Sequence, residues 1–214
     1  MQTSRDDRTG SIALPDEVHR FWFADATHDP QAAQARNKVW YGTSPAFDAQ
    51  IGGRFDATIA AAGRGELASW KTTPRSCVAL VVALDQFPRN AFRNTSAAFA
   101  HDARALEAAR HGVAAGYLDA LSIPEQAFLL MPYQHAEDAA VQREGVVRFE
   151  RLHAKAPAEW HAFTANCLDF QRRHLEIVER FGRFPHRNLV LGRTSTPEEH
   201  EYLASEPDTF GQGG

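Results

Sequence analysis

The sequence predicts an all-α protein of one domain, and three observations carry that prediction. Apolar residues recur three and four positions apart along most of the chain, while the two-residue alternation of a half-buried strand is scarce. Prolines stand where the first turn of a helix tolerates them, as at Pro15, Pro30, Pro45, Pro74 and Pro197. Hydrophobic residues fill 43% of 214 positions, enough to bury one substantial core. The domain is expected over 14–205. The segments 1–13 and 206–214 are too polar or too glycine-rich to fold alone, and mobile tails are expected there.

Taken in order, a first helix opens at Pro15 and turns Val18, Phe21 and Trp22 toward the core. A second starts at Asp29-Pro30 and runs to about Trp40. From Pro45, the four-residue spacing of Phe47, Ile51, Phe55 and Ile59 marks a third, which ends near Gly63 and Gly65. A fourth opens at Thr73-Pro74. Its apolar run 77–84 fits a buried strand as well as a helix by periodicity, but the Thr-Pro start and the helical neighbours favour a central helix buried on most sides. Further helices are expected over 96–115, 124–131, 137–153 and 157–181, with a short last one from Thr196-Pro197. The total is about eight or nine helices, joined by short turns into antiparallel hairpins.

Composition removes several classes of function. The net charge of -4 comes from 27 acidic and 23 basic residues with no run of like charge, so nucleic acid is not expected as a partner. The longest apolar run is 77–84, far short of the roughly 20 residues a membrane-spanning helix needs. Cys77 and Cys167 sit among apolar neighbours, which suits buried thiols and a cytoplasmic protein. There is no glycine-rich phosphate loop, no nucleophile elbow and no zinc-spaced cysteine pair, so no cofactor and no metal are expected.

Three stretches place polar groups where a plain helix bundle has little use for them. In 84–90, Asp85, Gln86, Arg89 and Asn90 follow directly on the most apolar helix. Pro88 there lacks an N–H and should kink or stop the helix, freeing carbonyls that Arg89 or Asn90 can satisfy. In 131–138, Glu137 and Asp138 suit the positive start of a helix, and His135 has the titration range of a general acid or base. In 181–193, Gly182 reads as a left-handed helix stop. Arg183, His186, Arg187, Asn188 and Arg193 follow it, and arginine forks suit carboxylate or phosphate. His174 lies on the apolar stripe of the helix before. Against each functional reading stands a structural one: Asp85 paired with Arg89, Glu137 or Asp138 as helix caps, His135 and His174 bonded to nearby carbonyls. A metal site built from Asp85, His135, Asp138 and His174 is the weaker alternative.

These segments, Leu-Asp-Gln-Phe-Pro-Arg-Asn (84–90), Met-Pro-Tyr-Gln-His-Ala-Glu-Asp (131–138), Phe-Gly-Arg-Phe-Pro-His-Arg-Asn (181–188) and Leu-Gly-Arg (191–193), resemble the signature segments of a bacterial family known as domain of unknown function 924. The resemblance spans roughly 16–204 and includes 65–70 and 195–198. It implies a helical fold grouped with tetratricopeptide-like, right-handed superhelices, and it implies no activity. Tyr133 and Gln134 stand where the family often has Phe and Glu, which speaks against a carboxylate role at 134. Two functions follow for testing. One is a pocket for a small anionic or polar molecule, with His135 or His174 as acid or base, Asp85 as its orienter and the arginines holding negative charge. The other is an interaction scaffold for a protein partner, in which the motifs lock helix junctions.

Overall fold

The computed structural model describes residues 10–205 and 209–210. The expected tail segments 1–9, 206–208 and 211–214 lie outside the described residues. Of the rest of those tails, Ala13 donates its N–H to Thr58 Oγ1 at 2.8 Å, and Phe210 packs on His174.

Nine helices, with no strand, build the described chain. They are α1 (Pro15–Phe23), α2 (Pro30–Trp40), α3 (Pro45–Arg64), α4 (74–91), α5 (Asp102–Ala114), α6 (Ile123–His135), α7 (Ala139–Lys155), α8 (His161–Phe181) and α9 (Pro197–Ala204). Their starts follow from local chemistry. Asp29, Ser44, Thr73, Asp138 and Thr196 each accept an otherwise orphaned N–H of the first turn. Gly65 (φ 82°) and Gly182 (φ 70°) end α3 and α8 in the left-handed conformation that a side chain would oppose.

Helix α4 runs through the centre and packs on α1, α3, α5 and α6, and α7 and α8 pair beside α6. All residues of 77–84 are buried, as a helix. Around α4 the aromatic rings of Trp22, Phe55, Phe87 and Phe128 meet edge-on or tilted, with centroids 4.6 to 5.9 Å apart. Each buried side chain of this size contributes roughly 1.5–3 kcal/mol, which makes this cluster the rigid base of the molecule. Among the described residues no helix is long and apolar enough to cross a membrane.

Three elements differ from the sequence expectation. The segment 96–115 divides into a 3-10 turn, Ser96–Phe99, and α5, whose first residue is Asp102. Helix α6 continues through Pro132 to His135, because proline removes only one N–H and the freed end is bonded from α7. Helix α7 begins at Ala139 because Asp138 caps it with two backbone bonds.

Candidate functional site

The site begins with the proline in α4. A regular helix would bring the ring of Pro88 against the Leu84 carbonyl. Instead the helix widens: Phe87 donates its N–H to Val82 O, five residues back, and 82–86 form a π turn. Side chains satisfy the loosened carbonyls. Arg89 Nη1 donates to Asp85 O at 2.9 Å, and Asn90 Nδ2 donates to Gln86 O at 2.8 Å. The helix does not stop at Pro88, which removes one N–H from the ladder.

Asp85 is completely buried. It accepts from Gln86 Nε2 at 2.6 Å and from His135 Nδ1 at 2.8 Å, and Arg89 Nη1 stands 3.1 Å away. Burial opposes its ionisation, but Arg89 and His135 outweigh that and hold the carboxyl below the usual carboxylate range. An ionised carboxylate only accepts, so His135 Nδ1 carries the proton and Nε2 is left with a lone pair. Burial and the Arg89 charge push the His135 pKa below its ordinary value, which keeps the ring neutral at pH 7. Neither His135 Nε2 nor His174 Nε2 has a hydrogen-bond partner among the described residues.

The end of α6 that carries His135 is fixed from behind. Gln142 Nε2 donates to Gln134 O at 2.6 Å and to Ala136 O at 2.8 Å, and Gln171 Nε2 donates to Gln142 Oε1 at 2.6 Å. His174, on α8, donates Nδ1–H to Phe170 O at 2.7 Å. Its ring lies 6.0 Å from that of His135 and stacks on Phe210 at 3.6 Å. Burial and the neighbouring His135 push its pKa well below the ordinary value.

Arginine supplies the charge. Arg89 grips Asp102 with two bonds, 2.8 and 2.9 Å, and Arg187 shares the same carboxylate at 3.3 Å. Arg187 also donates to His135 O at 3.2 Å, and its guanidinium lies over the rings of Phe99 and Phe184 at 4.5 and 4.3 Å. Burial pushes its pKa down to about 10, so it stays charged at neutral pH. Burial and Arg187 push His186 down to about 3. Arg187 Nε and His186 Nδ1 have no partner among the described residues, an uncommon state for buried nitrogens.

These groups surround a cavity of about 380 Å³. Asp85 stands directly behind it. Of the residues singled out in the sequence, Gln86, Arg89, Asn90, His135, His174, His186 and Arg187 line it, although four elements contribute them. Glu137, Arg183, Asn188 and Arg193 do not line it. They form an adjoining clasp: Arg193 Nη1 to Glu137 at 2.6 Å, Phe184 N–H to Glu137 at 2.8 Å, Arg183 to Glu199 at 2.7 Å, and Asn188 to Glu199 at 3.2 Å. The carboxyls of Glu137 and Glu199 are held below the usual range, Glu199 at about 2 by its bond to Arg183. Asp138 is occupied as the cap of α7, and the described residues contain no group of three or more His, Cys, Asp or Glu arranged to hold a metal.

Sequence reasoning missed Asp102, the carboxylate that joins Arg89 to Arg187. An acid in the first turn of a helix reads as a partner of the helix dipole, and only its position reveals the second role. It also missed Trp40, Tyr41, Phe170 and Arg173, which line the cavity but sit in the sequence as ordinary helix residues.

A family model described as "Bacterial protein of unknown function (DUF924)" matches residues 18–207. Among solved structures, a protein of unknown function, ATU0120 from Agrobacterium tumefaciens, is similar at 35% identity with a TM-score of 0.75; the match covers 90% of this chain and 97% of that one. No curated protein matches the sequence.

Proposed function

Since the chain belongs to the DUF924 family, whose description assigns no reaction, we propose from the site itself that the protein binds a small organic anion and uses His135 as a proton acceptor. The observation that carries this reading is the Asp85–His135 pair, with one ring nitrogen fixed at 2.8 Å by a buried carboxylate and the other left without a partner on an arginine-lined cavity. A carboxylate so placed selects the tautomer and stabilises the ring once it takes a proton. The arginines then serve the ligand's existing charge or the charge that develops on it. The cavity volume falls within the range of small-molecule sites.

The test is turnover of a panel of p-nitrophenyl carboxylic and phosphate esters at pH 7.5, in which His135 would take the proton of the attacking water. The expected result is that His135→Gln lowers kcat by about 10²–10⁴-fold with the fold retained. Wild-type rates in that variant, or no turnover of any ester by the native protein, would count against the reading.

A tetratricopeptide-like scaffold for a protein partner remains the second reading, favoured by the clasp, in which Arg193 pairs with Glu137, and Arg183 and Asn188 with Glu199, as helix-junction locks should. It predicts that Arg193→Ala alters a protein complex while leaving small anions bound as before.

A further inference from the structure

The cavity has two unlike walls. One is polar, formed by Gln86, Arg89, Asn90 and Arg93 of α4 and its end, His135 of α6, and the Pro185–Arg187 turn. The other is aromatic, with four rings: Trp40 and Tyr41 at the end of α2, Phe170 of α8, and Phe210, which also touches His174 and His186. Two of the rings are parallel, Tyr41 and Phe170, while Trp40 stands at 74° to Tyr41 and Phe210 at 60° to Phe170. Tyr41 and Phe170 lie 6.1 Å apart with planes within 11°, and Tyr41 and Phe128 behind it lie within 10°. A planar group already uses this wall: the guanidinium of Arg173 sits 4.9 Å from the Phe170 centroid and 5.8 Å from that of Phe210.

Charge on the lining is one-sided as well. Four arginines, at 89, 93, 173 and 187, line the space together with three histidines, and among the described residues no carboxylate does. The acids paired with them, Asp48, Asp85, Asp102 and, for Arg173, Asp169, do not line the space. An entering ligand therefore meets the guanidinium of Arg187 and not the carboxylate it is paired with. The volume of 380 Å³ equals about a dozen waters at roughly 30 Å³ each, room for one or two rings and a charged group.

We propose that the ligand of this site is a planar aryl or heteroaryl anion, with its ring on the parallel faces of Tyr41 and Phe170 and its carboxylate or phosphate toward Arg187. This rests on the anion-binding reading above and narrows it. An apolar but flexible ligand would bury similar area without gaining from aligned ring faces, and a ring without charge would leave the arginine side unmatched.

The test is calorimetric titration of the full chain with benzoate and phenyl phosphate against three controls: cyclohexanecarboxylate, inorganic phosphate and benzyl alcohol. Benzoate is expected to bind at least about tenfold tighter than cyclohexanecarboxylate, and phenyl phosphate tighter than inorganic phosphate by a similar factor. Phe170→Leu should erase the ring preference while Phe170→Tyr keeps it. Should the leucine variant not fold, magnetisation transfer from the benzoate ring to Phe170 in the native protein reads the same contact, and its absence overturns the proposal. Equal binding of benzoate and cyclohexanecarboxylate overturns the aromatic class while leaving an anion site standing. Benzyl alcohol binding as tightly as benzoate, or no binding by any of the anions, overturns the anion reading itself.

Discussion

Among the described residues, two imidazole–carboxylate pairs bridge helices, Glu125 with His19 and Asp85 with His135. His19 Nε2 donates to Glu125 Oε1 at 2.6 Å, and its Nδ1 accepts from Arg75 at 3.0 Å. Glu125 also receives the N–H and the hydroxyl of Ser122, at 2.8 and 2.6 Å, as the cap of α6, and these bonds, against the effect of burial, hold its carboxyl at about 2. Both nitrogens of His19 are thus consumed by the fold, although the pair lines a cavity of its own, about 330 Å³. In the Asp85 pair only one nitrogen is consumed. The same two residue types fill both ring nitrogens in one place and only one in the other, and the deciding factor is the third partner, Arg75, which the second ring lacks.

The sharpest way to break this comparison is to delete both rings in turn. His19→Ala takes one of three donors from Glu125 and an acceptor from Arg75, and should cost about 3 kcal/mol in urea unfolding, with anion binding at the other cavity unchanged. His135→Gln keeps a donor for Asp85 and should cost only about 1 kcal/mol. Equal losses would mean that both pairs are locks.

Acid should weaken the second region first. His174 and His186 are held neutral by burial, so between pH 6.5 and 5 the unfolded chain takes up protons that the folded one refuses. Stability should fall by about 3 kcal/mol over that interval, read as a drop in Tm, and His186→Gln should remove about half of it. The Glu125 and Glu137 carboxyls, with lowered values, should matter only below about pH 4.5, where protonation removes what their partners contribute. Asn90→Ala, which exposes the Gln86 carbonyl of the π turn, should likewise cost about 1 kcal/mol while leaving the His19 region untouched in hydrogen exchange.

Most of the architecture was legible because it is local. Thr73-Pro74 announces a helix, and burial then decides the ambiguous run 77–84 in favour of the centre of the bundle. The cavity was legible in part: Asp85, His135, His174 and Arg187 are unusual where they stand, so each drew notice separately. Their meeting was not legible, since it depends on how α4, α6, α8 and the 185–187 turn cross. Nor was the split between Arg187, which reaches the cavity, and Arg183 and Arg193, which turn to Glu199 and Glu137; six or fewer residues separate them from Arg187, and only the direction of the chain after Gly182 tells them apart.

The widened turn at 82–86 amounts to a spare residue spliced into a helix. Excising one position there would close the ladder into a regular helix and press the Pro88 ring against the carbonyl four residues back. The wider turn is the slack that lets a proline sit inside the central helix while Arg89 and Asn90 still face the hollow.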